Sequence, residues 1–530
     1  MAGARAMATM KMVGVNVAAD PLFSAAYAGV NGGLMLVSAD DPGLHSSQNE
    51  QDNRYYAKFA KLAMIEPSDS QETKDMVKAA MEISERFDTP VLFRMTTRIC
   101  HSKSLVRIGE AKAAPCKPYV KNPRKYNLVP AVARVLHVQL EERLKALQQF
   151  ANETELNRVE WNGGETGIIA AGVAYQYAKE VFGETASYLK LGFTYPLPME
   201  KIREFARSVK TLYVIEELEP FMEEQLKAAG IACVGKEKIP VTGELTPEII
   251  ERALLGRERP RIAYDAAAVP KRPPTLCPGC PHRGLYFELS KLKKVMITGD
   301  IGCYALGGAE PLNAMDTTIC MGASISMGHG AQRVFKSAGS PMRTIATVGD
   351  STFFHTGINS LMHVAYNRGN SITCILDNRV TAMTGHQENP GTGFTLQGEP
   401  TNEVDIERLV RALGVANVRT VNPLDLAQVR AALKWAMDLS EPSVIVTRWP
   451  CVLKKLSDSE RAEFPDFDYQ CTVDEAQCNG CGLCVRTGCP ALRYDNGVEK
   501  VVIDAVQCTG CGICLQACNR NAIVKASAQK

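Results

Sequence analysis

Short apolar runs alternate with amphipathic stretches along most of the chain, the pattern of strands laid side by side with helices packed over them. Over residues 4–120, the runs 8–17, 33–39 and 90–95 predict strands, and 73–87 predicts a helix among them. The rhythm then lengthens: Val132, Val135, Leu136, Leu140, Leu144 and Leu147 recur at helical spacing over 130–150, which predicts a bridging helix. A second α/β stretch covers 157–266, with strands near 167–171 and 211–216, and ends on the stiff Lys271-Arg272-Pro273-Pro274. In a third, reaching about residue 449, the apolar runs 344–348 and 372–376 predict buried strands. The fold class is therefore α/β and multi-domain, with expected boundaries at 1–125, a linker helix 126–156, then 157–268 and 271–456, and a small C-terminal α+β module at 468–526.

At 530 residues, 45% of them hydrophobic, the chain is too long for one core and has ample material for several. Its net charge of +2 is well mixed, so it lacks the basic stripe that a phosphate backbone requires, and nucleic acid is not an expected partner. No apolar run approaches the roughly twenty residues of a membrane span, and the first residues lack the apolar core of a secretory signal. A cytoplasmic protein is expected.

Eight of the 18 cysteines lie in the last 55 residues, in two copies of one pattern. Val473-Asp474 precedes Cys478, Cys481, Cys484 and Cys489; Ile503-Asp504 precedes Cys508, Cys511, Cys514 and Cys518. Three thiolates two residues apart wrap three irons of a cubane, and the fourth ligand arrives from the other copy. This assigns Cys478, Cys481, Cys484 and Cys518 to one 4Fe-4S cluster, and Cys508, Cys511, Cys514 and Cys489 to a second. Zinc sites take ligands in two pairs, and disulfides suit an oxidising compartment, so neither fits as well. Two departures stand out: an extra residue precedes Cys489, and Asn519 replaces the proline expected after Cys518.

The strand at 344–348 runs into Gly349-Asp350-Ser351, and the strand at 372–376 into Asp377-Asn378. In a right-handed strand-helix-strand unit both strand ends open on one edge of the sheet. Asp350, Asn378 and the Val380 carbonyl then offer three oxygens to one Mg2+ ion, leaving positions for two diphosphate oxygens and water. An isolated Gly-Asp-Ser would be no more than a capped helix start. The pair resembles the magnesium and diphosphate motif of thiamine-dependent enzymes.

LCPGCPHRG at 276–284, GDIGCYALG at 299–307, CMGASISMGHG at 320–330, GDSTFFHTGI at 349–358 and the terminal module closely resemble the α subunits of indolepyruvate ferredoxin oxidoreductases, within the 2-oxoacid:ferredoxin oxidoreductases. MKMVGVNVAADP, DDPGLHSSQNEQDNRYYAK and RMTTRICHS in the first stretch are similar to that family too. The resemblance implies a pyrimidine-type domain at 1–125, a transketolase C-terminal-like domain at 157–268 and a thiamine diphosphate domain at 271–456. It implies a third, proximal 4Fe-4S cluster on Cys277, Cys280, Cys303 and Cys451. Gly302 and Gly322 would let backbone approach the cofactor, Met321, Met383 or Thr384 would pack near its rings, and Thr97 and Arg98 are candidates for the substrate carboxylate. The other cysteines, Cys100, Cys116, Cys233, Cys320, Cys374 and Cys471, are expected to be packing residues.

The reaction so implied is oxidative decarboxylation of an aryl pyruvate with coenzyme A to an acyl-coenzyme A, with electrons passing to ferredoxin. A small β subunit is the expected partner in a hetero-oligomer. Such enzymes place a glutamate against the aminopyrimidine ring, and it is not found here; in the family it lies upstream, and Met1 to Ala6 read like the tail of its helix. Two alternatives remain at this point: a non-oxidative thiamine-dependent 2-oxoacid decarboxylase, and a non-catalytic electron-carrying subunit.

Overall fold

The structure, a computed structural model, describes residues 1–527 apart from Lys112 and Arg261. The chain divides into two compact units, Met1–Tyr264 and Asp265–Lys530.

In the first unit the strands Ala6–Lys11, Leu34–Asp40, Val91–Thr96 and Ala63–Ile65 lie parallel in that order. The first apolar run differs from expectation, because its strand stops at Lys11 and Met12–Val17 is helical. Met12 and Val15 are its buried residues, three apart as a helix requires. Residues 1–5 are not helical either; the Ala6 amide bonds the Gly33 carbonyl and opens the parallel ladder instead. The helix Ser70–Phe87 starts on Asp69, whose carboxylate accepts from the Glu72 amide. The long helix Pro130–Glu153 buries Leu136, Leu140, Leu147 and Ala151, so one stripe of it is core.

The second sheet of this unit runs Asn157–Glu160, Ser187–Leu191, Thr166–Ala171, Thr211–Ile215. The strand Phe193–Tyr195 then returns antiparallel to Ala63–Ile65. Leu189, Leu191 and Tyr195 thereby join Leu36 and Leu92 in one core, which the α/β stretches expected at 1–125 and 157–268 share.

The second unit is built on six parallel strands, ordered Thr317–Thr318, Val295–Gly299, Arg343–Gly349, Ile372–Asp377, Ser443–Arg448 and Asn417–Val421. Ile345, Ala346, Cys374, Ile375, Ile445 and Val446 are fully buried, which is why the central strands read as unbroken apolar runs. Register matters most for function: Gly349 lies opposite Leu376, and Leu376 opposite Thr447. Four neighbouring strands therefore end at one edge, and Asp300, Asp350, Asn378 and Trp449 follow them directly.

The cysteine-rich tail pairs Tyr469–Val473 with Ile523–Ser527 and Leu492–Asp495 with Lys500–Ile503, both antiparallel. Its two copies are alike in detail, since Asp474 accepts from the Ala476 amide and Asp504 from the Val506 amide, each at 2.9 Å. The module is fixed to the sheet: Ile513 is buried in the same core as Leu285, Tyr286 and Leu426. The Gln516 amide group bonds the Leu424 carbonyl and the Leu426 N–H at 2.7 and 2.9 Å. Among the described residues no helix is long and apolar enough to cross a membrane.

Beneath the first unit's two sheets, Arg54 and Arg94 are 2% and 3% exposed. Arg54 donates to Asp52 and Glu216, and Arg94 to Asp40 and Glu66. Removing one guanidinium leaves buried carboxylates unpaired, a loss of about 3–5 kcal/mol. Arg54→Met should lower stability by that amount in urea unfolding, whereas Arg98→Met, at an exposed ion pair, should lower it by less than about 1 kcal/mol.

Candidate active site

Asp350, Asn378 and Val380 are buried together at the edge where the strands Arg343–Gly349 and Ile372–Asp377 end. The inner polar atom of the Asn378 amide lies 3.3 Å from Asp350 Oδ1 and 2.7 Å from the Val380 carbonyl. With its oxygen inward, three oxygens converge with no hydrogen between them; turned round, the amide N–H bonds both. Ligands about 2.1 Å from an octahedral Mg2+ stand roughly 3 Å apart, so these separations suit three neighbouring vertices. The donor set, a carboxylate, an amide and a carbonyl, is that of a hard divalent cation.

Electrostatics agrees. Burial pushes the Asp350 carboxyl up to about 7, and Asp377 beside it adds to the effect. Asp377 is paired with Arg448 at 2.7 Å, whereas among the described residues no basic side chain pairs with Asp350. A bound cation would reverse the shift. Sequence reasoning missed Asn389, which donates to Asp350 Oδ2 and to Ser351 Oγ at 3.0 Å each and so orients the carboxylate. Ser351 Oγ is also 2.5 Å from Thr381 Oγ1.

The same edge gathers sulfur. The Cys451 amide donates to the Asn378 carbonyl at 2.9 Å. Cys277 and Cys451 both bear on Cys280 and on Cys303, so the four thiols share one electrostatic neighbourhood. Burial raises Cys280 to about 12 while the His282 amide donates to its sulfur. Cys451 receives amides from Leu453 and Lys454. Such N–H groups favour thiolates once a metal takes up the sulfur.

In the tail, Cys478, Cys481, Cys484 and Cys518 line a single cavity with Gly482, Val501 and Ile523. Cys511 is raised to about 11 by burial, with Cys489 nearby adding to it, and takes an N–H from Ile513. The cavity thus brings three cysteines of the first copy together with Cys518 of the second, and Cys511 of the second copy lies near Cys489 of the first. Among the described residues no three His, Cys, Asp or Glu side chains close on a single ion. A cubane spreads its four thiolates over four irons and does not require that closeness.

The other expected residues are placed as follows. A side chain on Gly302 or Gly349 would meet the Tyr304 ring, and Gly322, at φ +85°, lies against Thr356, so each glycine is needed by the protein's own packing. The Gly322 amide and Ser324 hydroxyl both donate to Asp300, which ties the loop carrying Cys303 to the helix Ala323–Ser337. Met321 and Met383 are exposed, and the Thr384 hydroxyl donates to Gln387. Thr97, in the first unit, donates to Asp41 at 2.7 Å; Arg98 is 54% exposed and its fork is occupied by Glu244. Of the cysteines expected to be packing residues, Cys374 is buried in the sheet, but Cys100, Cys116 and Cys320 are exposed. Cys471 is buried at the second socket, its N–H on Cys508 Sγ at 3.3 Å; its place in the strand Tyr469–Val473 puts it there.

Residues 300–447, which include this edge of the sheet, match the thiamine pyrophosphate enzyme family's C-terminal TPP binding domain. Over its full length the chain is 41% identical to the indolepyruvate oxidoreductase subunit IorA of Archaeoglobus fulgidus, covering 87% of that protein. It is 40% identical to the IorA subunit of Pyrococcus abyssi over 99% of this chain and 87% of the relative. A solved 2-oxoglutarate:ferredoxin oxidoreductase from Magnetococcus marinus aligns with 37% of this chain and 70% of its own at 18% identity, with a TM-score of 0.31. The chain belongs to the family of indolepyruvate oxidoreductase IorA subunits, and it is a thiamine-dependent oxidoreductase subunit.

Because a cation must displace the proton that Asp350 holds below about pH 7, divalent-ion affinity should fall about tenfold per unit as pH drops below that value and level off above it. Mn2+ titration followed by EPR reads this directly. Asn389→Ala should weaken binding by about 10–100-fold, and Asp350→Ala by more.

Proposed function

We propose that the chain is the large subunit of an enzyme that oxidatively decarboxylates indolepyruvate with coenzyme A and passes the electrons to ferredoxin. Bound thiamine diphosphate supplies the electron sink that lets a 2-oxo acid lose carbon dioxide, and 4Fe-4S clusters supply one-electron acceptors beside it. Asp350, Asn378 and the Val380 carbonyl would hold Mg2+ and through it the diphosphate. Cys277, Cys280, Cys303 and Cys451 would hold the proximal cluster. Cys508, Cys511, Cys514 and Cys489 would hold a second, and Cys478, Cys481, Cys484 and Cys518 a third.

One observation carries this reading. The Cys451 amide is bonded to Asn378, so a thiol group and the oxygen cradle share one backbone hydrogen bond. Cysteines so placed would hold a one-electron acceptor close to the cofactor and so favour oxidation over simple decarboxylation. The order of the sockets supports an outward path. Gly279, inside the Cys277 to Cys280 turn, packs against Thr509 of the second socket, while Cys481 of the other tail socket is exposed. Ferredoxin would dock near Cys481. The aryl preference and the small β subunit are supported by the relatives being indolepyruvate oxidoreductase subunits and by the sequence resemblance.

Anaerobic isolation of the chain with its small partner should give about twelve irons and twelve sulfides per chain. Ferredoxin reduction should require coenzyme A and be at least about tenfold faster with indolepyruvate than with pyruvate or 2-oxoglutarate. About eight irons would remove the Cys277 group from the proposal, and aldehyde formation without cluster reduction would replace it with a non-oxidative decarboxylase.

A further inference from the structure

Arg283 is 1% exposed, in the helix His282–Leu289 that follows the Cys277 to Cys280 turn. Its Nη2 donates to the Leu276 and Cys277 carbonyls at 2.7 and 2.9 Å. Its Nη1 donates to the Thr487 carbonyl at 2.8 Å, in the segment between Cys484 and Cys489. Its Nε has no hydrogen-bond partner among the described residues. Among the described residues no carboxylate pairs with it; Glu288, on the same helix, is engaged by Lys291 and Arg430 instead. A guanidinium withdrawn from water and faced only by carbonyls is costly unless negative charge stands nearby. Its charge acts on two sulfurs, Cys280 of the proximal group and Cys511 of the tail.

We propose that Arg283 is a fixed cation held between the proximal socket and the second tail socket, a positioning residue whose counter-charge is the pair of clusters themselves. This rests on the cluster assignments above. An all-cysteine cubane is anionic and gains one negative charge on accepting an electron, and its net charge helps set its potential. A buried positive charge favours the reduced state of both neighbours, so both potentials are held up. At Cys484, in the socket of Cys478, Cys481, Cys484 and Cys518, burial and the neighbouring Cys518 and Cys481 sulfurs are the leading influences, and the potential of that cluster is expected to follow those rather than Arg283. The carbonyl contacts also clamp the Cys277 turn to Thr487, which keeps the charge in place.

The test is an EPR-monitored redox titration of the full chain, isolated anaerobically, as wild type, Arg283→Gln and Arg283→Lys, with iron counted in each. Arg283→Gln keeps donors but not charge; two of the three potentials should move negative by at least a tenfold change in the one-electron equilibrium, about 59 mV, with the third unmoved. Arg283→Lys keeps the charge and should stay closer to wild type at those two clusters. Loss of iron from the Gln variant alone also supports the proposal, since charge is then what holds the clusters. The proposal is overturned if the Gln variant keeps its iron with unshifted potentials, if all three potentials shift together, or if the Gln and Lys variants lose iron alike. A wild-type chain without about twelve irons would instead overturn the cluster assignments.

Discussion

A hydrogen bond of 2.9 Å between the Cys451 amide and the Asn378 carbonyl joins the candidate oxygen cradle to the candidate sulfur group. It exists because the strands Ile372–Asp377 and Ser443–Arg448 are parallel neighbours in register, so that their carboxyl ends leave the sheet together. On the other side, Arg343–Gly349 ends one strand away and delivers Asp350. Beyond it, Val295–Gly299 delivers Asp300 and the loop that carries Cys303. A parallel sheet gathers residues from four remote segments at one edge, and here the edge receives oxygen donors in its middle and sulfur donors on either side.

Charge is unbalanced around this edge in a consistent way. Among the described residues Asp350 is buried without a basic partner and Arg283 without an acidic one, and Cys280 is held far above the usual thiol range by burial. Each imbalance is of the sign that a divalent cation or an anionic metal-sulfur group would relieve. The ion network of the first unit contrasts with this, because Arg54 and Arg94 are closed off by their own carboxylates.

The parts legible from sequence were those in which neighbours in the chain are neighbours in space. Gly349-Asp350-Ser351 follows a buried strand, and the doubled cysteine spacing repeats over thirty residues with the same aspartate turn. The parts missed depend on contacts that leave no periodic trace. Asn389 reaches Asp350 from 39 residues away, out of an irregular loop. Cys471 lies outside the cysteine repeat, in a strand paired with Ile523–Ser527, and its N–H reaches Cys508 Sγ. Thr97 and Arg98 carry suitable donors for a carboxylate, but Asp41 and Glu244 already occupy them. The helix Met12–Val17 lies in a run that predicts strand, because an apolar run alone does not distinguish the two periods.

The central claim is that one cation links Asp350 and Asn378 to a cofactor diphosphate beside the thiols of Cys277, Cys280, Cys303 and Cys451. Pulsed EPR of the chain loaded with Mn2+ and thiamine diphosphate measures this most directly. The account predicts phosphorus hyperfine coupling on the manganese, lost in Asn378→Ala, and faster manganese relaxation when the clusters are reduced. Manganese bound without phosphorus coupling, or with relaxation indifferent to cluster reduction, would contradict it.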